Sequence, residues 1–169
     1  VYDYPHIGNA RTFVAFDMMV RYLRSQGFKI FYLQNITNIE DKILARAKET
    51  NTTWDAVADQ FEKAFYDYNT RLNITSVDQF ARATDVIPEI ITQIKTLIKK
   101  GHAYKIEGDP DASAGAGGWY FDLKTYADYG QLARRTVSQA DDGVSRVDNS
   151  DKKRNAGDFC LWKFSKEGE

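Results

Sequence analysis

The hydrophobic period of this chain switches from helix to strand and back to helix within its first 75 residues. No other feature limits the fold as strongly. Phe13, Phe16, Val20 and Leu23 recur at helical spacing, which predicts a helix over Asn9–Gln26. Met18, Met19 and Tyr22 widen its apolar surface, so burial on more than one side is expected. Gly27 supplies the stop. "KIFYLQN", residues 29–35, is rich in β-branched and aromatic side chains and reads as a strand. Thr37 and Asn38 suit the cap of a helix near Ile39–Lys48. Thr52 or Thr53 caps a longer one, whose stripe is Trp54, Val57, Phe61, Phe65, Tyr68 and Leu72. The order turn, helix, strand, helix, helix belongs to the α/β class.

A further helix is expected over Val86–Lys100, capped by Thr84 or Asp85, with Pro88 in its first turn and Gly101 at its end. Its apolar face is Ile87, Ile90, Ile91, Ile94, Leu97 and Ile98. "HAYKIEG" (102–108) and "GWYFDL" (118–123) read as paired strands. The small residues between them, "DPDASAGAGG", read as a flexible loop, and the polar stretch 137–157 as a mobile one. "DFCLWKF" (158–164) is another strand. Organisation changes near residue 80, and no internal repeat is visible.

The totals exclude several classes. A net charge of −1 argues neither for nor against nucleic acid, although a strong non-specific DNA binder is usually more basic. One cysteine, Cys160, allows no internal disulfide and fits a reducing compartment. Two histidines and that cysteine make no internal zinc pattern. No apolar run reaches the roughly 18 residues of a membrane span. The first residues lack the basic start and apolar middle of a signal peptide. There is no initiator Met, and the simplest account is that the natural chain begins earlier.

"YPHIGNAR", residues 4–11, carries the chemistry. A histidine and a glycine at the mouth of a helix make a natural anion site, because the first turn has free N–H groups and the positive end of the helix dipole. Taken with "NITNIEDKI", "FARATDVIPEI", "GHAYKIEGD", "DYGQLARR" and "KRNAGDFCLWKFSKEGE", this stretch resembles the cysteinyl-tRNA synthetases, a class I aminoacyl-tRNA synthetase family. The segments lie in the family's order over nearly the whole chain. The family's His-Ile-Gly-His signature stands here as His6-Ile7-Gly8-Asn9, so the fourth position departs.

The resemblance implies a Rossmann-type catalytic half over residues 1–80. It also implies a small α+β connective insertion over 81–160, and a return to the catalytic domain over 161–169. It implies ATP-dependent activation of cysteine to an adenylate, with transfer to the 3′ end of tRNA(Cys). His6 and Asn9 are then the catalytic candidates, and His6, Gly8 and Asn9 the ATP-binding ones. Thr37 is the substrate-binding candidate, beside the cysteine side chain. An ionised carboxylate attacking a phosphate needs no strong base; positioning and charge stabilisation do the work. Asn9 keeps hydrogen-bond donors but has no charged form. The alternatives are that His6 only caps its turn, and that Thr37 only caps a helix.

In the family a zinc ion selects the substrate thiolate. The resemblance places its ligands, and the KMSKS loop, outside residues 1–169, so no metal ligand is expected here. Zn2+ is then expected only in the full-length protein, and Mg2+ with ATP. "KFSKE" (163–167) is not the KMSKS loop, and Cys160 reads as a structural thiol. Expected partners are tRNA(Cys), cysteine and ATP, with no membrane, in a cytoplasmic monomer. "ARR" (133–135) and "DKKR" (151–154) are candidate phosphate contacts or ordinary solvated charge. A fragment cut from a longer enzyme, inactive on its own, is the main reading. A non-catalytic nucleotide- or RNA-binding module, or a cysteine ligase of mycothiol-type biosynthesis, is the alternative.

Overall fold

The computed structural model describes residues 2–108, 117–132, 134 and 152–165. These form two compact units, Val1–Ile87 and Pro88–Glu169. Each mixes helices with one small sheet.

The first unit opens with α1 (Ile7–Ser25), followed by β1 (Leu33–Ile36), α2 (Asp41–Glu49), α3 (Trp54–Arg71) and β2 (Gln79–Arg82). A short 3-10 turn, Ala83–Val86, closes it. β1 and β2 pair in parallel, with Leu33 opposite Gln79 and Ile36 opposite Arg82. Parallel neighbours cannot be joined by a tight turn, and here α2 and α3 provide the crossover. The centre of this unit is Ile43, Ala47, Val57, Ala58 and Phe61, where α2 meets α3. Phe65 of α3 then takes the edges of Phe13 from α1 and Phe80 from β2, at centroid distances of 5.5 and 5.8 Å.

Polar side chains of α1 fix the return to β2. Asp17, buried, accepts the backbone N–H groups of Thr75 (2.9 Å) and Ser76 (2.8 Å) and pairs with Arg21 at 2.7 Å. Arg21 also donates to the Asn73 carbonyl and the Thr75 hydroxyl. Arg24 donates to the carbonyls of Ile30 and Ser76 and pairs with Asp78. The Asp78 carboxylate accepts from Tyr32 N–H at 2.6 Å, and Asp78 N–H donates back to the Tyr32 carbonyl at 2.9 Å. Burial alone would raise the Asp17 pKa, but the bonds from Ser76 and Thr75 and the charge of Arg21 hold it below its ordinary value. At the far end of β2, Arg82 reaches α3, pairing with Asp59 at 2.9 Å and Glu62 at 3.2 Å.

Three expectations need correction. The strand is Leu33–Ile36 rather than 29–35, because Tyr32 spends its N–H and carbonyl on Asp78 before the ladder begins. Neither Thr37 nor Asn38 caps α2, whose N-cap is Glu40. And α1 is not buried on several sides. Within its unit it buries Asp17 and Val20, while Phe16, Met18, Met19 and Tyr22 are exposed. The strand β2 was not foreseen.

The second unit has α4 (Ile87–Lys99), β3 (Ala103–Glu107), β4 (Gly117–Phe121) and β5 (Phe159–Lys163). The three strands make an antiparallel sheet in chain order, with a bulge in β4–β5 between Trp119 and Tyr120. β5 crosses the boundary expected at residue 160. Tyr104, Ile106 and Tyr120 form its buried cluster, and Cys160 packs against them, partly buried. Asp158, 2% exposed, is a hub: it accepts from the Tyr104 hydroxyl (2.8 Å) and from the N–H groups of Leu123 and Asn155, both at 3.0 Å. Burial pushes the Tyr104 phenol up to about 12; a bond from Arg154 N–H opposes this, and Asp158 and Asp122 add to it. The loop expected at 109–118 lies largely outside the described residues, as does most of 137–157.

The four long helices among the described residues end alike. After α1 and α4, Gly27 and Gly101 take positive φ, at 86° and 77°. After α2 and α3, Asn51 and Asn73 do the same, at 51° and 54°. In each case the next residue's N–H turns back to the helix: Phe28 to Leu23, Thr52 to Ala47, Ile74 to Asn69 and His102 to Leu97. This paired-bond ending satisfies carbonyls that would otherwise be orphaned.

Two outcomes are expected in urea denaturation of the chain. Ile43→Ala should cost about 3 kcal/mol, since Ile43 is fully buried where α2 meets α3. Asp17→Asn should destabilise at pH 7, because a lowered folded-state pKa gives stability that is complete above the unfolded value. The gap to wild type should shrink as pH falls below about 4, toward the lowered folded-state value.

Candidate functional site

The chain before α1 is tied to α2 and α3. Tyr4 sets its ring edge against Phe61 at 5.2 Å, Asp3 pairs with Arg46 at 3.6 Å, and Lys42 lies 4.6 Å over the Tyr2 ring. These contacts fix where α1 begins.

His6 is the N-cap of α1, with extended backbone (φ −78°, ψ 152°). Its carbonyl accepts from Asn9 N–H at 2.9 Å and Ala10 N–H at 3.1 Å. Its ring Nδ1 accepts from Gly8 N–H at 3.1 Å. An accepting Nδ1 has no proton, so the neutral ring has its N–H at Nε2. The capping bond therefore selects the tautomer that leaves a donor on the far side of the ring. His6, Gly8 and Asn9 are all exposed.

The space beside Gly8 is narrow. A Cβ at this position would meet His6 Nδ1 at 3.3 Å, tighter than an ordinary contact. The missing side chain lets the imidazole fold back over the first turn. The N–H of Ile7, the first residue of the helix, has no partner in the helical ladder. The mouth of α1 thus combines a neutral imidazole donor, an amide side chain at Asn9 and the positive end of a 19-residue helix.

Thr37 stands on another element, exposed, one residue past the end of β1. Asn38 N–H donates to the Ile36 carbonyl at 3.0 Å, so the chain closes a three-residue turn with Thr37 at its apex. Asn35 Nδ2 donates to the Thr37 hydroxyl at 3.3 Å. The position past the carboxyl end of a parallel strand is where α/β sheets display ligand-binding groups.

Among the described residues no group of three or more His, Cys, Asp or Glu is placed to hold a metal ion. A zinc site does not fit these residues. No described helix is long and apolar enough to cross a membrane. Of the two basic stretches, Ala133, Arg135 and Asp151 lie outside the described residues. Arg154 pairs with Asp122 at 3.2 Å and stacks 4.2 Å over the Tyr104 ring. His102 lies over Phe121 with its Nδ1 2.9 Å from the Thr125 hydroxyl. Asn38 and Thr84, which sequence reasoning read as local caps, instead hydrogen-bond to each other.

A family model described as "tRNA synthetases class I (C) catalytic domain" matches residues 1–169. Similar curated proteins are named "Cysteine--tRNA ligase". One from Cyanothece sp. is 44% identical over 171 residues, and one from Thermoplasma acidophilum is 44% identical over 169. One from Salmonella newport is 47% identical over 169. Each alignment covers 100% of this chain, but only 33%, 35% and 35% of those proteins respectively. The chain spans about a third of the length of the curated relatives it matches.

The cap makes a prediction independent of activity. His6→Ala should cost about 1 kcal/mol in thermal or urea unfolding, and His6→Asn, which keeps a capping acceptor, should recover most of it. In 15N spectra of the neutral ring, the proton should reside on Nε2.

Proposed function

This chain belongs to the family of class I tRNA synthetase (C) catalytic domains, and on that premise we propose that it carries the nucleotide-binding part of a cysteine–tRNA ligase. The observation that carries the reading is the Gly8 N–H bond to His6 Nδ1, which leaves Nε2–H free to donate at the mouth of α1.

The reaction follows from these groups. A carboxylate oxygen of cysteine forms a bond to the α-phosphorus of ATP, and the bond to pyrophosphate breaks. The carboxylate is already ionised at neutral pH, so no side chain needs to take a proton. Negative charge shifts toward the phosphate oxygens as the leaving group departs. His6 Nε2–H and the Asn9 carboxamide donate to those oxygens, and the helix dipole adds its field. Asn9 supplies this stabilisation without a charge of its own. Gly8 keeps the approach to the backbone clear. Thr37, on its turn beyond β1, lines the pocket for the cysteine side chain. In the second step a hydroxyl oxygen of the 3′-terminal nucleotide of tRNA(Cys) bonds to the acyl carbon, the bond from that carbon to the phosphate oxygen breaks, AMP leaves, and the hydroxyl proton passes to the departing phosphate or to solvent.

ATP enters this reading as a substrate, with Mg2+ on its phosphates. Zn2+, when bound, supplies selection for a thiolate over a hydroxyl. The described residues do not fit it, and no step here runs through it. The first unit is proposed as part of a Rossmann-type sheet, with Gln79–Arg82 as its second strand. The α4–β5 unit is proposed as the connective insertion, and its basic residues 134 and 152–154 as its side toward RNA. We further propose a cytoplasmic monomer.

The test is cysteine-dependent ATP–pyrophosphate exchange in the full-length protein. Exchange is expected with cysteine and ATP, and His6→Ala should lower kcat by about 10²- to 10³-fold. Exchange that does not depend on cysteine, or that survives His6→Ala at full rate, contradicts the proposal.

A further inference from the structure

Asn38 is 1% exposed, although Thr37 and Ile39 on either side of it are exposed. Its carboxamide is used on a single residue. Nδ2 donates to the Thr84 hydroxyl oxygen at 2.7 Å, and Oδ1 accepts the Thr84 backbone N–H at 3.1 Å. Thr84 lies in the 3-10 turn that follows β2, 46 residues along the chain. The last matched pair of the parallel ladder is Ile36 with Arg82. Asn38 and Thr84 each come two residues later, so their bonds carry the pairing of the two segments past the end of the sheet.

The backbone N–H of Asn38 adds the third restraint, closing on the Ile36 carbonyl around Thr37. The chain therefore leaves β1, turns once with Thr37 at the apex, and is pinned to the segment after β2. A buried amide without partners would be costly, and two apolar side chains of equal volume would hold the unit together as well. What they would not supply is a directed pair of bonds that allows one orientation of the turn.

We infer that Asn38 and Thr84 are a positioning pair for the cysteine subsite, acting through Thr37 and touching no substrate themselves. The inference rests on the reading of Thr37 as a pocket residue. A loosened turn displaces Thr37, and small displacements of binding groups weaken the complex out of proportion to the energy of the lost bonds.

The experiment is cysteine-dependent ATP–pyrophosphate exchange in the full-length protein, with the KM for cysteine and for ATP measured separately, alongside melting temperature. Asn38→Ala should raise the cysteine KM about tenfold and leave the ATP KM within about twofold. Thr84→Val, nearly the same shape and still able to donate its N–H, should raise the cysteine KM by about threefold or more. Asn38→Ala with Thr84→Val should be no worse than Asn38→Ala alone, since both break one contact. Asn38→Asp should rescue only in part: one oxygen accepts the Thr84 N–H and the other the Thr84 hydroxyl, but burying a carboxylate carries a desolvation cost that the neutral amide does not.

A merely structural Asn38 would lower the melting temperature and the active fraction but leave the cysteine KM of the folded protein unchanged, and that result overturns the inference. Should Asn38→Ala fail to fold, Thr84→Val decides by the same criterion. A wild-type protein without cysteine-dependent exchange removes the functional reading and this inference with it. Wild-type exchange with silent Asn38 and Thr84 variants removes the inference alone.

Discussion

The buried carboxylate of Asp17 is the contact on which the first unit depends. β1 and β2 are four residues each, and a parallel pair that short has little stability of its own. Something outside the ladder must hold the register. Asp17 does so by taking two successive backbone N–H groups just before β2, which fixes that segment against α1. Arg21 and Arg24, one and two turns along the same helix, take the carbonyls of Asn73 and Ser76. A carboxylate is well suited to this, because it accepts several bonds at once and an adjacent guanidinium offsets its desolvation. At the other end of β2, Arg82 and the Asn38–Thr84 bonds hold the exit. The sheet is clamped at both ends by polar groups, with aromatic packing between.

Local features of this fold were legible and non-local ones were not. Gly27 and Gly101 announce helix ends because glycine is the usual residue at positive φ. Asn51 and Asn73 end α2 and α3 in the same way, but asparagine has too many other uses to be read as a stop. β2 escaped because "QFAR" is short and half polar, and its partner lies 46 positions earlier. Asn38 looked like a helix cap for the same reason, since its real partner is equally far away. The apolar period of α1 fixed it as a helix, but period alone does not say how many of its faces are covered. The bulged antiparallel sheet of the second unit was visible strand by strand, because "AYKIE", "GWYF" and "FCLWK" are strongly β in composition.

The candidate site shows the same division. His6, Gly8 and Asn9 are neighbours in sequence, so one short motif identified them together. The proton on Nε2 is a consequence of a bond that only coordinates reveal, and so is the tight 3.3 Å approach that a Cβ at Gly8 would make to the His6 ring. One group of contacts serves two ends here: the cap that stabilises α1 also sets the tautomer of the ring. In the second unit, the charge of Arg154 that sequence alone leaves free for phosphate is shared with Asp122 and the face of Tyr104. The stretch "RNAGD", residues 154–158, forms the turn around Asp158, whose carboxylate ties β3, the residues after β4 and the approach to β5.

The central claim is that one ligand spans the mouth of α1 and the turn beyond β1. The direct measurement is 15N-resolved chemical-shift mapping of the full-length protein with a non-hydrolysable cysteinyl-adenylate mimic in which a sulfamoyl group replaces the phosphate. The Ile7, Gly8 and Asn9 amides should shift saturably together with that of Thr37, with a single dissociation constant. Binding that perturbs one of these two places and leaves the other unchanged would contradict it.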